Sequence, residues 1–384
     1  MRRIRGMTPR CLLIAITLLV VGPGCIKTEP PANPFRQPIS YHVGNSPSFV
    51  GTADLNQDGY LDLVVANTED QSLFIFINNK DGSFQAPLKL TTGRQPRSIL
   101  FGDFNEDGKI DLAVPNYDED NLYVYINQNG PGGMFFSRPR VYEVGRAPFT
   151  GAVGDFNGDH HLDMAVVSRY DRLIILLGKG DGSFEEGMVT DAGTIPTDII
   201  AGQFNGDSFL DLAIANNGPG SNEFSLFWGR GDGTFEKGEK LTAGMKPLSL
   251  ISDDFNRDKR PDILVVNGLG DSLSLFLQGS NGRYGKAIPF GAEGGPVAAV
   301  SADFNGDGLL DLVVVNSRSD NISFLAGKGD GTFQHPPLNI HTGIAPFSIT
   351  KGDFNKDGTP DIAVVNNEDQ TLSILLGRPK KNGG

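Results

Sequence analysis

Seven short stretches of the chain place carboxylates and amides at alternating positions. They are Asp54, Asn56, Asp58 and Asp62; Asp103, Asn105, Asp107 and Asp111; Asp155, Asn157, Asp159 and Asp163; Asn205, Asp207 and Asp211; Asp254, Asn256, Asp258 and Asp262; Asp303, Asn305, Asp307 and Asp311; and Asp353, Asn355, Asp357 and Asp361. In each nonapeptide, side-chain oxygens at positions 1, 3, 5 and 9 and the main-chain carbonyl of position 7 can wrap one Ca²⁺. Those carbonyls belong to Tyr60, Lys109, His161, Arg260, Leu309 and Thr359, whose side chains share no chemistry. Mg²⁺ suits the pattern less well, because five or more protein oxygens match the larger ion. The expected chemistry is Ca²⁺ binding at up to seven sites. A metal-free network of Asx turns is the competing reading. Three aspartates within nine residues would repel one another in it, which favours the cation.

The copies differ. The first, second, sixth and seventh carry the full ligand set, with Gly59, Gly108, Gly308 and Gly358 at position 6, where a sharp turn favours positive φ. His160 and Lys259 replace that glycine in the third and fifth, which keep their side-chain ligands. The fourth is weakest: Gln203 stands for the first Asp and Ser208 for the Gly. The ligand order matches the first half of an EF-hand. Here, however, position 12 is apolar, as at Val65 and Val314, so the Asp at position 9 must close the coordination sphere.

The elements that must hold these loops are written as a repeat. Successive copies of Asp-Phe-Asn-x-Asp-Gly-x-x-Asp start 49, 52, 48, 51, 49 and 50 residues apart, and a Pro stands seven residues before every start. After each nonapeptide comes a short apolar run such as Leu63–Ala66, the pattern of a strand buried on both faces. An Asn or Ser, a polar turn and another apolar strand follow, as at Leu73–Ile77. Asp-Gly or Asn-Gly then marks a tight hairpin, as at Asp81-Gly82, with an aromatic two residues on, as at Phe84. A more polar strand leads back to a Gly-x-x-Pro turn. Four antiparallel strands per unit, repeated seven times, predict an all-β, seven-bladed β-propeller. The last unit stops after its third strand, and residues 35–47 match the missing piece. The N-terminal strand is therefore expected to complete the last blade.

Outside residues 35–378, three segments are expected: an export signal over 1–24, a Pro-rich tether over 25–34 and a polar tail over 379–384. The signal shows a basic start and an apolar run from Leu12 to Val21, too short to cross a bilayer. It ends in Gly22-Pro23-Gly24-Cys25, which resembles a lipobox and marks Cys25 for acylation, with Gly22 departing from the usual Leu. Localisation at a bacterial envelope or cell surface follows, otherwise periplasmic or secreted. With two Cys in the chain, and Cys11 inside the signal, no disulfide framework is available.

The chain of 384 residues has a formal charge of −13, which becomes −17 once the four Arg of residues 1–24 are removed. Seven Ca²⁺ would leave −3, so the acidity is mostly a ligand inventory. It also argues against nucleic acid, whose phosphates need clustered Lys and Arg.

The repeated nonapeptide resembles that of the FG-GAP/VCBS repeat family, the propellers related to the integrin α-subunit head. The resemblance covers residues 35–377 and implies Ca²⁺ loops between the first and second strands of each blade, with partners docking on the opposite face. The functional expectation is a non-enzymatic Ca²⁺-binding module that binds a protein or glycan. Its contact residues would come from the turns carrying Arg94, Arg97, Arg146, Tyr117, Tyr170, Arg172 and Lys246. A Ca²⁺-assisted polysaccharide lyase or hydrolase is the alternative, though the five His do not fall at one common repeat position and no nucleophile elbow or His-Glu-x-x-His occurs. A structural scaffold of an envelope complex is the third. Arg230-Gly231-Asp232 falls at a hairpin turn, where other copies read Lys-Gly-Asp, and is expected to be turn chemistry.

Overall fold

The computed structural model describes residues 29–130 and 135–379. The export signal, Cys25 and residues 380–384 lie outside the described residues. Within them, every named element is a strand, and the strands gather into seven antiparallel sheets of four. Blade 1 runs Pro47–Ala53, Asp62–Asn67, Ser72–Phe76 and Leu88–Thr91. Blades 2 to 6 follow the same plan in order. Blade 7 joins Pro346–Gly352, Asp361–Asn366 and Thr371–Leu375 to Ile39–His42 from the opposite end of the chain. The first strand of blade 7 packs on that of blade 1, so the ring closes into a seven-bladed β-propeller.

Burial explains the pattern of each blade. The second strand, apolar between its first Asp and its last Asn or Ser, is buried along its whole length in all seven. The outer strand of blade 1 is largely exposed, which suits Leu88-Lys-Leu-Thr. The core lies between blades: Val50, Leu63 and Val65 of blade 1 pack with Ala363, Val365 and Leu372 of blade 7. The aromatic after each Asp-Gly turn crosses to the motif Phe of the preceding blade. Ring centroids lie 5.4 Å apart for Phe184 and Phe104, 5.5 Å for Phe235 and Phe156, and 5.7 Å for Phe84 and Phe354.

The closure repeats this device with residues from both chain ends. Phe35, fully buried, meets Phe304 of blade 6 at 5.4 Å, as Phe84 meets Phe354. Ile39 to His42 pair with Ile374 to Thr371, Arg36 N–H donates to Leu376 O at 2.7 Å, and Arg378 N–H donates to Pro34 O at 2.8 Å. Replacing Phe35 by Ala removes a fully buried ring from this seam. Urea unfolding of the Phe35→Ala variant should show a loss of about 3–5 kcal/mol.

Candidate functional site

The seven acidic loops lie where the first strand of each blade turns into the second, so register places them at one end of the ring. In blade 1, Ala53 pairs with Asp62 at the loop end, and Pro47 pairs with Asn67 at the other. The Gly-x-x-Pro turns therefore occupy the opposite face.

Within a loop, main-chain N–H groups point inward at the carboxylates. In the first copy, Asp54 accepts from Asp58 N–H at 3.0 Å and from Gly59 N–H at 2.8 Å, Asn56 Oδ1 from Asp58 N–H at 2.9 Å, and Asp58 Oδ1 from Tyr60 N–H at 2.9 Å. Asp103, Asn105 and Asp107 repeat this, as do Asp254, Asn256 and Asp258, and Asp353, Asn355 and Asp357. In the third copy Asp155 accepts from Gly158 and His160 N–H, and Asp159 from His161 N–H. The fourth, lacking the first Asp, still holds Asp207 N–H on Asn205 Oδ1 and Phe209 N–H on Asp207 Oδ1.

Positive φ occurs at position 6 in every copy but the fourth, including His160 at 71° and Lys259 at 66°. Position 4 is also left-handed in all seven, from Lys356 at 55° to Gly206 at 85°. This second turn was hard to read in sequence, because position 4 varies among Gln, Glu, Gly, Arg and Lys.

The position-9 aspartates have a role that spacing alone did not reveal. Asp62, Asp111, Asp163, Asp211, Asp262, Asp311 and Asp361 are all fully buried. In each, Oδ2 accepts the N–H of position 2, and Oδ1 accepts an N–H at or just beyond the end of the third strand. For Asp62 the donors are Leu55 and Asn78 at 3.1 and 2.9 Å; for Asp361 they are Phe354 and Gly377 at 2.8 and 2.6 Å. One side chain thus pins three segments of a blade. Burial pushes the Asp62 carboxyl up to about 6, against the pull of its two N–H donors, with Asp58 and Asp54 adding repulsion.

Fit to a cation can be judged from the donors present. Among the described residues, no group of three or more His, Cys, Asp or Glu forms a metal cluster. The expected donor set also counts an Asn oxygen and a main-chain carbonyl. The sixth loop holds an orphan: Asp303 Oδ1 is buried without a hydrogen-bond partner, since Asp307 N–H goes to Asn305 Oδ1 instead. A buried, unpaired carboxylate oxygen is costly. An oxygen-seeking cation held by Asp303, Asn305, Asp307 and Asp311 would remove that cost, so the residues fit Ca²⁺.

The first strands line a central channel of about 530 Å³. The residues following the seven prolines are Ser48, Arg97, Phe149, Thr197, Leu248, Val297 and Phe347, and all of them border it. Arg97 lies over the Tyr117 ring at 5.1 Å and Arg169 over Phe149 at 5.4 Å; Arg146 covers Tyr170 at 4.6 Å. Arg94 instead pairs with Glu119 at 3.5 Å, and Lys246 Nζ donates to Asn217 O at 2.9 Å. Arg172 is exposed at the start of its strand. Asp198 faces the same channel, accepting from Leu250 N–H at 2.8 Å, and burial pushes its carboxyl up to about 6. Sequence reading passed over Asp198, Arg169 and Ser98. The signal for Asp198 was its departure from the small or apolar residues at the equivalent position of the other copies.

The chain belongs to a known family: the FG-GAP-like repeat model matches residues 54–114, 103–166, 155–214, 203–265, 254–314 and 303–364. Propellers of such repeats generally serve as binding or scaffold modules. No curated protein matches the chain. Among solved structures, BBS1N in complex with ARL6DN, soaked with mercury, is similar at 14% identity and a TM-score of 0.65, covering 91% of this chain and 98% of that one. The same complex soaked with lead matches at 13% identity and a TM-score of 0.62, with the same coverage. At such identities the likeness concerns the fold.

Proposed function

We propose that the chain is a non-enzymatic binding module, exported and held at a bacterial envelope through a lipid on Cys25. Ca²⁺ stabilises one end of the ring, and the opposite face takes a protein or glycan ligand. The observation that carries the binding role is the set of stacked pairs Arg97–Tyr117, Arg169–Phe149 and Arg146–Tyr170 on the turn face, away from the acidic loops. Guanidinium groups held over aromatic rings present rigid, amphipathic contact area. BBS1N, of similar fold, is itself found in a complex, which agrees with a protein-binding use of such a ring.

The test is a glycan and surface-protein binding screen in Ca²⁺ and in chelator, with bound metal measured on the same material. A ligand whose binding falls on Arg146→Ala or Tyr170→Ala, with several Ca²⁺ per chain, is expected. A screen without hits, or metal-free protein from millimolar Ca²⁺, overturns the corresponding half.

A polysaccharide lyase or hydrolase is the second reading, favoured by one observation. The channel departs from sevenfold regularity at Asp198, and a carboxyl shifted to about 6 approaches what a general base needs. Release of unsaturated or reducing ends from acidic polysaccharide, lost in Asp198→Asn, would establish it.

A further inference from the structure

One arc of the channel wall is built unlike the rest. In the other blades the first and second strands stay in register up to the second residue after the Pro, as Phe49 with Ala66 and Asp198 with Ala215. In blade 2 the paired run begins only at Leu100 with Ala113. The cause is Pro115, which stands where Ala66 and Ala215 stand and has no N–H to give the ladder. Ser98 and Ile99 are thereby released from strand pairing, while Arg97 N–H still donates to Pro115 O at 3.3 Å.

Two of these residues bring unsatisfied donors to the channel. Arg97 donates through Nη2 to Gln95 Oε1 at 2.8 Å, while its Nε is buried without a partner. Ser98, 4% exposed, has an Oγ that is likewise unpartnered. Arg169 borders the same space and forms no ion pair among the described residues. The acid near Arg97 is Asp118, whose Oδ2 already accepts from Gln95 Nε2 at 2.6 Å. Buried donors such as Arg97 Nε and the Ser98 hydroxyl are costly without acceptors, and an anion between them and Arg169 would supply one.

We propose that Arg97, Ser98 and Arg169 receive the carboxylate of a small hydroxylated acid, a uronic sugar being the simplest type. This rests on the binding role proposed above and deepens it. Guanidiniums match a planar carboxylate through paired, charge-assisted hydrogen bonds. Asp198, facing the same channel, supplies acceptors for the hydroxyls of such a ligand and repels a second negative charge, which disfavours phosphate. Phe149, which borders the same space, adds apolar contact for sugar C–H groups. A volume of about 530 Å³ admits one or two sugar rings.

Calorimetry on the full chain tests this with three probes: D-glucuronate, D-glucose and inorganic phosphate. Saturable glucuronate binding is expected, with glucose and phosphate at least about tenfold weaker. Arg97→Gln and Arg169→Gln should each weaken glucuronate by about tenfold to a hundredfold. Both variants should melt close to the parent, because each arginine is only partly buried and Gln keeps a polar end there; should one fail to fold, the other decides. Absence of glucuronate binding overturns the proposal. So does binding that neither substitution weakens, or phosphate binding equal to glucuronate. If glucuronate fails while a screen ligand still binds through Arg146 or Tyr170, the channel site falls and the binding role stands; if both fail, both fall.

Discussion

In excess EGTA the melting temperature of the protein should drop by about 15–20 °C relative to millimolar Ca²⁺. Extracellular calcium modules bind at about 0.1 to 1 mM. At about 1 mM free Ca²⁺ and a dissociation constant of about 0.1 mM, linkage gives about 1.4 kcal/mol per loop. Seven loops then contribute about 10 kcal/mol, comparable with the whole stability of a typical domain of about 5–15 kcal/mol. For a chain of this length each kcal/mol moves the melt by about 2 °C. The fourth loop, without its first carboxylate, should bind most weakly and contribute least. Scanning calorimetry at increasing Ca²⁺ reads the effect directly. An identical melt with and without chelator would remove structural calcium from the account and leave the Asx-turn network holding the loops unaided.

Asp311→Ala should cost about 3–9 kcal/mol, and most of that loss should persist in EGTA. The side chain accepts the N–H groups of Phe304, Asn305 and Gly327 at 3.0, 3.1 and 2.9 Å, in a fully buried position. Alanine leaves three main-chain donors stranded, at about 1–3 kcal/mol each. Asp311→Asn keeps one acceptor oxygen and turns an NH₂ toward the other donors, so an intermediate loss is expected. Urea titrations of both variants with and without Ca²⁺ separate two roles of the residue. A loss that vanishes in chelator marks a metal ligand alone; a loss that survives it marks a peg between strands.

Much of the fold was legible because a repeat states each structural demand seven times. Strand order, turn chemistry and the completion of blade 7 by residues 35–47 followed from phase alone, and Phe35 takes the place of Phe84 as that alignment requires. The loops were legible as oxygen clusters, but the double duty of Asp62 and its counterparts was not. Spacing shows which oxygens could converge, whereas the N–H of Asn78 reaches Asp62 from the end of a strand sixteen residues on. The Gly of Gly-x-x-Pro was visible as a pattern without a reason. The structure supplies one: a Cβ on Gly44 would meet Asn67 side-chain atoms at 2.8 Å, and Gly343 is crowded by Asn366 in the same way. The channel was least legible. Its walls come from seven distant strands, and the residues that matter there are those that break the repeat, Pro115 among them.

The seam of blade 7 sets an order of events during synthesis. Phe35 and Arg378, bonded through a guanidinium and a carbonyl, are separated by 343 positions. A growing chain can form blades 1 to 6 as they emerge, yet the strand Ile39–His42 must wait for Thr371–Leu375 before it finds a partner. Until then both lips of the incomplete ring present unpaired main-chain groups. Stalled or truncated chains would therefore be the ones that stick to each other, and a chaperone guarding Ile39–His42 would serve this protein better than one guarding any interior blade.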